Sequence, residues 1–346
     1  MAPPGATFTH EAARILGGMV LVIETTKVAT VTGPGSTSRT DERFAINGTD
    51  LGIAWDSGAG RVFVVFGDTY GAGWGGSGAG PAHADWRCNV LAFSRSHDLS
   101  GGLVLDGVVA RPDGGAAEII ARDPRRDEHT VIPNGGIAVD GIQYVHYMSI
   151  HHWGKPGRWA TNYAGIAVSD DGGGTWTKSE RARWINRAER DHPFQIGAFA
   201  RDEAYIYLFG APNGRFGDAH LARVRAADVL EPSSYRYRAG DGWTGDDMAA
   251  TPVFDGPVGE MSVAYNTHFG RWLAVYLDVG RAAIVLRTAE SVAGPWTDPQ
   301  VLVSGRNYPA VYGGYLHPWA LDGPEIYYLI SQWGPYNVFL MRSMLE

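Results

Sequence analysis

The stretch at residues 48–71, GTDLGIAWDSGAGRVFVVFGDTYG, consists of two short apolar runs separated by a glycine-rich turn. Short apolar runs on either side of such a turn are typical of a β-hairpin. Asp50 precedes the first run and Asp68 follows the second. If the hairpin turns at residues 58 and 59, Asp50 and Asp68 face each other across its open end. The stretch therefore predicts two neighbouring carboxylates.

Four further pairs of apolar runs follow along the chain. Their sequences are GGIAVDGIQYVHYMSI (135–150), IGAFARDEAYIYLFG (196–210), MSVAYNTHFGRWLAVYL (261–277) and WALDGPEIYYLIS (319–331). The first and fourth pairs align without gaps and place Asp50 on Glu260 and Asp68 on Asp278. A repeat of about 59 residues per hairpin is typical of propeller blades with long loops. The sequence therefore predicts an all-β fold, a five-bladed β-propeller.

No linker or low-complexity segment divides the chain, so we expect one propeller domain over residues 1–346. The segment TTKVATVTG (25–33) is expected to close the last blade, and helices should be few, with one candidate at 226–230. The segment SDDGGGTW (169–176) resembles the Asp-box of sialidase-type propellers. In that motif Asp171 accepts hydrogen bonds from turn amides and Trp176 packs beneath them, which is a structural role.

Composition excludes several classes of partner. The 346 residues carry a net charge of -8, whereas a nucleic acid or an anionic membrane surface calls for a basic stripe. The apolar run ILGGMVLVI (15–23) is too short to span a bilayer. Cys88 is the only cysteine, so no internal disulfide is possible. We expect a monomer without a nucleic-acid or membrane partner.

The acidic pair of the first hairpin has a chemical interpretation. Two carboxylates with Cβ atoms about 5 Å apart cannot both ionise freely, so one pKa rises while the other stays low. Such a pair supplies one acid and one base. Asp68 also follows the wholly apolar run VFVVF (62–66), which predicts that it leaves a buried strand near the propeller axis. The structural alternative is that both residues are turn residues, since aspartate is common at strand ends.

Other polar residues stand at the ends of the hairpins, and blade openings of a propeller converge on one face. Each is also at home in an ordinary turn. We predict that together they form a substrate-binding pocket around the acidic pair, lined by Asn134, Gln195, Asn213, Arg215, Glu260, Tyr312 and His317. Trp86, in the glycine-rich insertion at 71–89, offers an aromatic face. The three histidines of HYMSIHHW (146–153) lack matching carboxylates, so neither a metal nor a cofactor is expected.

Five segments in order carry a resemblance to a known family. They are GTDLGIAWD (48–56), VFVVFGDTYG (62–71), GAPNGRFGDAHLARV (210–224), GEMSVAYN (259–266) and YGGYLHP (312–318). Over residues 45–342 the chain resembles the family once labelled domain of unknown function 4185, now glycoside hydrolase family 183, the endo-D-arabinanases of actinobacteria and their phages. The resemblance implies a five-bladed propeller, places the family's acidic pair on Asp50 and Asp68, and implies cleavage of the D-arabinofuranose chains of mycobacterial arabinogalactan and lipoarabinomannan.

We therefore predict an endo-acting glycoside hydrolase that is secreted or carried on a phage virion and whose partner is a polysaccharide. One carboxyl would protonate the leaving oxygen, while the other attacks the anomeric carbon or activates water. A separation of about 5 Å suits the first mechanism and about 6.5–9.5 Å the second, and both stay open. One alternative is a non-catalytic glycan-binding propeller, such as a tail adhesin, which needs no contacting carboxylates. A sialidase-like enzyme ranks last, because arginines are not placed at successive blade openings.

Overall fold

The computed structural model describes residues 20–81, 83–187 and 191–346 and consists mainly of short antiparallel β-strands. The helical segments within these ranges are α1 (Thr40–Phe44) and single 3-10 turns at Pro124–Arg126, Ala226–Asp228, Pro232–Ser234 and Asp247–Ala249. The helix predicted at 226–230 is therefore one 3-10 turn. The first part of the apolar run at 15–23 lies outside the described residues. No helix in the described ranges is long and apolar enough to cross a membrane.

The strands form five main sheets in the described part of the chain. The first strand is β1 (Val22–Thr30). The first blade contains β2 (Leu51–Asp56), β3 (Val62–Phe66), β6 (Val90–Ser94) and β7 (Gly107–Val108). In the connection between β3 and β6, β4 (Thr69–Tyr70) and β5 (Trp86–Arg87) pair as a separate two-stranded sheet. The second contains β8 (Thr130–Val139), β9 (Ile142–Trp153), β10 (Trp159–Ser169) and β11 (Thr177–Ile185).

The remaining three blades follow in chain order. The third contains β12 (Ile196–Arg201), β13 (Ile206–Ala211), β14 (Gly217–Val224), β15 (Arg236–Ala239), β16 (Gly242–Thr244) and β17 (Phe254–Val258). The fourth contains β18 (Met261–Asn266), β19 (Arg271–Asp278), β20 (Ala283–Ala289) and β21 (Gln300–Ser304). The fifth contains β22 (Val311–Leu316), β23 (Glu325–Gln332) and β24 (Asn337–Leu345).

The five sheets surround a central axis, which confirms the predicted all-β, five-bladed propeller. The innermost strands are β2, β8, β12, β18 and β22, and each packs against the innermost strands of both neighbouring sheets. Every residue of β3 is buried, because the apolar run is covered on both faces of its sheet. Small side chains of the inner strands, including Ala138, Ala200 and Ala264, line an axial channel of about 490 Å³.

The N-terminal strand completes the fifth blade. β1 pairs antiparallel with β24, so this sheet has the order β22, β23, β24, β1. The strand spans Val22–Thr30, whereas the sequence predicted a closing segment at 25–33. The two ends of the described chain are thereby hydrogen-bonded to each other.

The propeller has an upper and a lower face, at the two ends of its inner strands. The upper face is where they begin, at Leu51, Thr130, Ile196, Met261 and Val311. The lower face is where they end, at Asp56, Val139, Arg201, Asn266 and Leu316. The Asp-box turn between β10 and β11 lies at the lower face, where Asp171 Oδ1 accepts the backbone N–H of Thr175 at 2.9 Å.

The first hairpin, formed by β2 and β3, has a bulge. Leu51 pairs with Phe66 but Ile53 pairs with Val65, so Gly52 is an extra residue in β2. Leu51 has φ 67° and Gly52 has φ 97°, both in the left-handed region. As a result Asp50 lies opposite Gly67, whose N–H donates to the Asp50 carbonyl at 3.2 Å. The predicted direct opposition of Asp50 and Asp68 is therefore displaced by one residue.

The fifth hairpin begins earlier than the sequence predicted. Its first strand is β22, and residues 319–321, which were expected to form that strand, lie in the connection to β23. Gly313 and Gly314 have φ 87° and 119° and produce a register shift between Gly313 and Tyr315. Because this bulge interrupts the period-2 pattern, the strand reads as a loop in the sequence.

Candidate active site

Asp50 is held at the upper face by the bulged start of β2. Gly67 lies across the hairpin, and a Cβ atom at Gly67 would collide with Asp50 Oδ1. Glycine is required there by this close approach rather than by an unusual backbone angle. The hairpin thus leaves space for one carboxyl group between its two strands.

The carboxyl group of Asp50 has unequal oxygens. Oδ2 accepts a hydrogen bond from the Tyr312 hydroxyl at 2.9 Å, while Oδ1 is buried and has no hydrogen-bond partner among the described residues. Burial raises the pKa of Asp50 to about 8, with further upward contributions from the charges of Asp68 and Glu260. The hydrogen bond from Tyr312 acts in the opposite direction. Near neutral pH, Asp50 is therefore mostly protonated.

Asp68 lies between β3 and β4 and accepts two neutral donors. Its Oδ1 receives the Trp86 indole N–H at 2.9 Å and the Thr130 hydroxyl at 2.8 Å. Burial raises the pKa of Asp68 to about 6, although both hydrogen bonds favour the charged form. At pH 7 this carboxyl is mostly ionised. The pair therefore contains one protonated and one ionised member at the same pH.

Glu260 and Arg215 form the ionic part of the site. Arg215 Nε donates to Glu260 Oε1 at 2.9 Å, and Glu260 Oε2 is buried without a partner among the described residues. The Arg215 guanidinium lies 5.0 Å from the ring centre of Tyr312, the residue that donates to Asp50. The charge of Glu260 and its hydrogen bonds keep the pKa of Arg215 above its usual value despite burial. Glu260, Arg215 and Tyr312 thus lie next to Asp50.

Gln195 and Asn213 lie beside a buried hydroxyl. Gln195 is fully buried, and its Nε2 donates to the Trp184 carbonyl at 2.9 Å. The Thr161 hydroxyl is within hydrogen-bonding distance of Gln195 Oε1 and lies 2.9 Å from Asn213 Oδ1. Gln195 therefore joins the second and third blades beneath the surface, whereas Asn213 is only partly buried.

Asn134 lines the axial channel and contacts a buried histidine. Its Nδ2 lies 3.3 Å from Nδ1 of His146, whose pKa burial lowers to about 3. His151 is exposed and pairs with Asp127, with 2.9 Å between Nδ1 and Oδ2. Among the residues that the structure describes, no group of three or more His, Cys, Asp or Glu side chains is arranged to hold a metal ion.

His317 lies at the other end of the propeller from the acidic pair. It follows the last residue of β22, so the whole strand separates it from Tyr312. Its neighbour Trp319 donates to Asp56 Oδ2 at 2.7 Å, at the lower end of β2. This differs from the prediction that Tyr312 and His317 line one pocket. The prediction treated YGGYLHP as one loop, whereas most of it is an extended strand.

Sequence reasoning missed two residues that shape the pair. Thr130 begins β8 and reaches Asp68 from the next blade, which no pattern within one hairpin reveals. Gly67 makes room for Asp50, and its counterpart in the aligned fourth hairpin is Leu277. The change from leucine in the fourth hairpin to glycine in the first is the one sequence feature that indicates this close approach.

Comparison with known proteins agrees with the fold. Residues 35–342 match the family described as Domain of unknown function (DUF4185). Notoamide biosynthesis cluster protein J from Aspergillus sp. (strain MF297-2) is 31% identical over 320 residues, a match that covers 86% of this chain and 83% of that protein.

Two solved structures share the architecture at low sequence identity. A family 117 glycoside hydrolase from Zobellia galactanivorans is 13% identical with a TM-score of 0.53, covering 93% of this chain and 89% of that one. An exo-beta-1,3-galactanase from Phanerochaete chrysosporium is 12% identical with a TM-score of 0.55, covering 93% of this chain and 63% of that one. At these identities the likeness concerns the fold alone. The match to the family over residues 35–342 covers most of the sequence, and it shows that the chain belongs to the DUF4185 family.

Proposed function

We propose that the protein is a glycoside hydrolase in which Asp50 is the general acid and Asp68 is the base or the nucleophile. The observation that carries this proposal is the unequal environment of the two carboxyls. Asp50 is disfavoured as an anion by burial and by the charges of Asp68 and Glu260. Asp68 receives two hydrogen bonds that favour its ionised form. Two carboxyls whose surroundings separate their pKa values in this way supply an acid and a base.

The reaction follows from this assignment. The proton of Asp50 passes to the glycosidic oxygen as the bond between that oxygen and the anomeric carbon breaks. The Tyr312 hydroxyl holds the carboxyl of Asp50 in place through Oδ2. Asp68 either attacks the anomeric carbon or takes a proton from the attacking water, and both mechanisms stay open. Trp86 and Thr130 hold its carboxylate in position for either step.

The proposed substrate is a polymer of α-linked D-arabinofuranose, cleaved within the chain, as in mycobacterial arabinogalactan and lipoarabinomannan. The motifs that resemble endo-D-arabinanases support this substrate, as does the membership of the DUF4185 family. The glycoside hydrolases among the structural neighbours support a carbohydrate as ligand. A substrate in the mycobacterial envelope further implies action outside the producing cell, by secretion or on a virion.

A non-catalytic glycan-binding propeller is the alternative. Such a protein has no need of a buried carboxyl whose pKa is raised by a second carboxyl nearby, and for that reason we favour the enzyme. An adhesin and an enzyme also differ in a simple observable, because only the enzyme shortens the chain to which it binds.

Incubation with purified mycobacterial arabinogalactan tests the proposal. We expect oligosaccharides of several sizes by chromatography and no change in plant L-arabinan, whose enantiomeric sugar cannot present its hydroxyls to the same fixed donors. The matched variants are Asp68→Asn, which should abolish product formation, and Asp56→Asn, at the lower end of β2, which should not. Release of arabinose monomer alone would contradict the endo assignment. An intact polymer after prolonged incubation with folded protein would contradict the enzyme.

A further inference from the structure

An exposed aromatic patch lies on the upper face beside the candidate active site. Trp153 at the end of β9 and Phe216 before β14 have exposed fractions of 40% and 46%. Trp159 at the start of β10 packs edge-on against Trp153, with 5.8 Å between ring centres. The guanidinium of Arg158 lies 4.3 Å from the ring centre of Phe216. Exposed aromatic rings grouped in this way mark ligand-binding surfaces more often than scattered single residues do.

The patch is built on two loops that are fixed to each other. The N–H of Arg215, in the loop between β13 and β14, donates to the carbonyl of Gly157, between β9 and β10, at 3.0 Å. The backbones approach so closely that a Cβ atom at Gly214 would lie 2.7 Å from the Gly157 carbonyl oxygen. The rings of the second and third blades therefore form one surface whose geometry is set before any ligand binds.

The patch is continuous with the acidic pair. Arg215 lies between two rings, 5.7 Å from the ring centre of Trp159 and 5.0 Å from that of Tyr312. Tyr312 in turn donates to Asp50. Glu260 holds Arg215 in this position through two hydrogen bonds. Only the side chains of Tyr312 and Arg215 therefore separate Asp50 from the Trp159 ring, so a glycan chain bound at Asp50 can also contact that ring.

We propose that Trp153, Trp159 and Phe216 form a distal subsite that binds sugar residues of the glycan chain away from the cleaved bond. The proposal rests on the proposed function and deepens it. Aromatic faces offer large apolar contact to the C–H faces of a sugar ring at a small entropic cost, and Arg158 supplies donors for its hydroxyls. The occupant is a long neutral glycan rather than a monosaccharide. The patch lies beside the acidic pair and does not include it, so only a chain of several sugar residues can contact both.

Kinetics on long and short substrates test this subsite. We expect Trp153→Ala and Phe216→Ala to raise KM for D-arabinan about 5- to 10-fold while kcat stays the same, because each variant removes one stacking surface. The shortest oligosaccharide that the wild type cleaves should show unchanged kcat and KM. The control is Tyr265→Ala, which removes an aromatic ring of similar exposure, 41%, at the lower face and should change nothing.

Binding to a variant that cannot turn over separates this proposal from the proposed function. In the Asp68→Asn background, titration with long D-arabinan should show weaker binding when Trp153 or Phe216 is also replaced. Equal binding with and without these rings would overturn the subsite even if the wild type cleaves arabinan. Weakened binding combined with no cleavage by the wild type would keep the subsite and overturn the enzyme. A loss of kcat on short and long substrates alike would also overturn the subsite.

Discussion

The hairpins of the first and fourth blades carry the same pair of acidic positions but treat them differently. Leu51 pairs with Phe66 as Met261 pairs with Tyr276, so the two hairpins begin in the same register. In the fourth blade each carboxylate has a guanidinium partner, with Arg215 at Glu260 and Arg281 Nη1 2.6 Å from Asp278 Oδ2. In the first blade, within the described residues, neither carboxyl has an ion-pair partner.

The difference shows how one hairpin design serves two purposes. A buried carboxylate that pairs with an arginine and accepts hydrogen bonds on both oxygens, as Asp278 does, is a structural element. A buried carboxyl without a cation raises the free energy of the folded state, and such groups concentrate at functional sites. The first hairpin also contains the bulge at Gly52 and the small residue Gly67, both of which the fourth replaces with regular pairing and a leucine. Backbone and charge therefore change together at the candidate site.

The largest expected effect is loss of the ionised member of the pair. Asp68→Asn should lower kcat on arabinogalactan by at least about 10²-fold, the usual scale for removing a positioned acid or base. The double variant Asp50→Asn/Asp68→Asn should be impaired much less than the product of the single losses, because the two carboxyls act as a unit. Multiplying losses would show that they act independently.

An intermediate effect is expected from making the first hairpin resemble the fourth. Gly67→Ala places a Cβ atom against Asp50 Oδ1 and should displace the carboxyl, with a loss of kcat of about 10-fold or more. Gly75→Ala is the matched control, since no atom of the described residues lies within 4 Å of a Cβ atom there. Circular dichroism checks that both variants fold. Full activity of Gly67→Ala would mean that the close approach does not position Asp50.

The smallest expected effects are shifts of the pH profile. The pKa values of about 6 for Asp68 and about 8 for Asp50 predict a bell-shaped kcat/KM, falling below the first and above the second. Tyr312→Phe removes a hydrogen bond that lowers the pKa of Asp50, so the alkaline limb should move up. Glu260→Gln removes a charge that raises this pKa, so the same limb should move down.

The control for the pH profile is Tyr328→Phe, which removes another buried hydroxyl of the fifth blade, bonded to Ser343. It should leave both limbs in place. Shifts of Tyr312→Phe and Glu260→Gln in the same direction would show that Asp50 does not set the alkaline limb.

The sequence predicts the fold well because hydrophobic period and turn composition act within each hairpin. The prediction that hairpin ends converge also places Asp50, Tyr312, Arg215 and Glu260 on one face of the propeller. The sequence does not show where side chains point at strand ends, since the bulges at Gly52 and Gly313 leave no periodic signal. Contacts between blades are hidden for a related reason. Thr130 and the Trp153 patch depend on how neighbouring sheets pack, which no local pattern specifies.

The central claim is that the first-blade carboxyls carry out the reaction, whereas Asp278 of the fourth blade stabilises the fold. Parallel assays of Asp50→Asn and Asp278→Asn test it most directly, with kcat on arabinogalactan measured at pH 7 and thermal unfolding measured at pH 5 and pH 9. The raised pKa of Asp50 means that its contribution to stability is present below about pH 4 and is lost as the pH rises through about 8. Replacing it should therefore improve stability at pH 9 relative to the wild type.

We predict opposite outcomes for the two variants. Asp50→Asn should lose at least about 10²-fold in kcat while unfolding at the wild-type temperature or above it at pH 9. Asp278→Asn should keep kcat but lose about 1–3 kcal/mol of unfolding free energy, because a buried acceptor of the Arg281 side chain is removed. A folded and fully active Asp50→Asn, or an Asp278→Asn that is stable but inactive, would contradict the account.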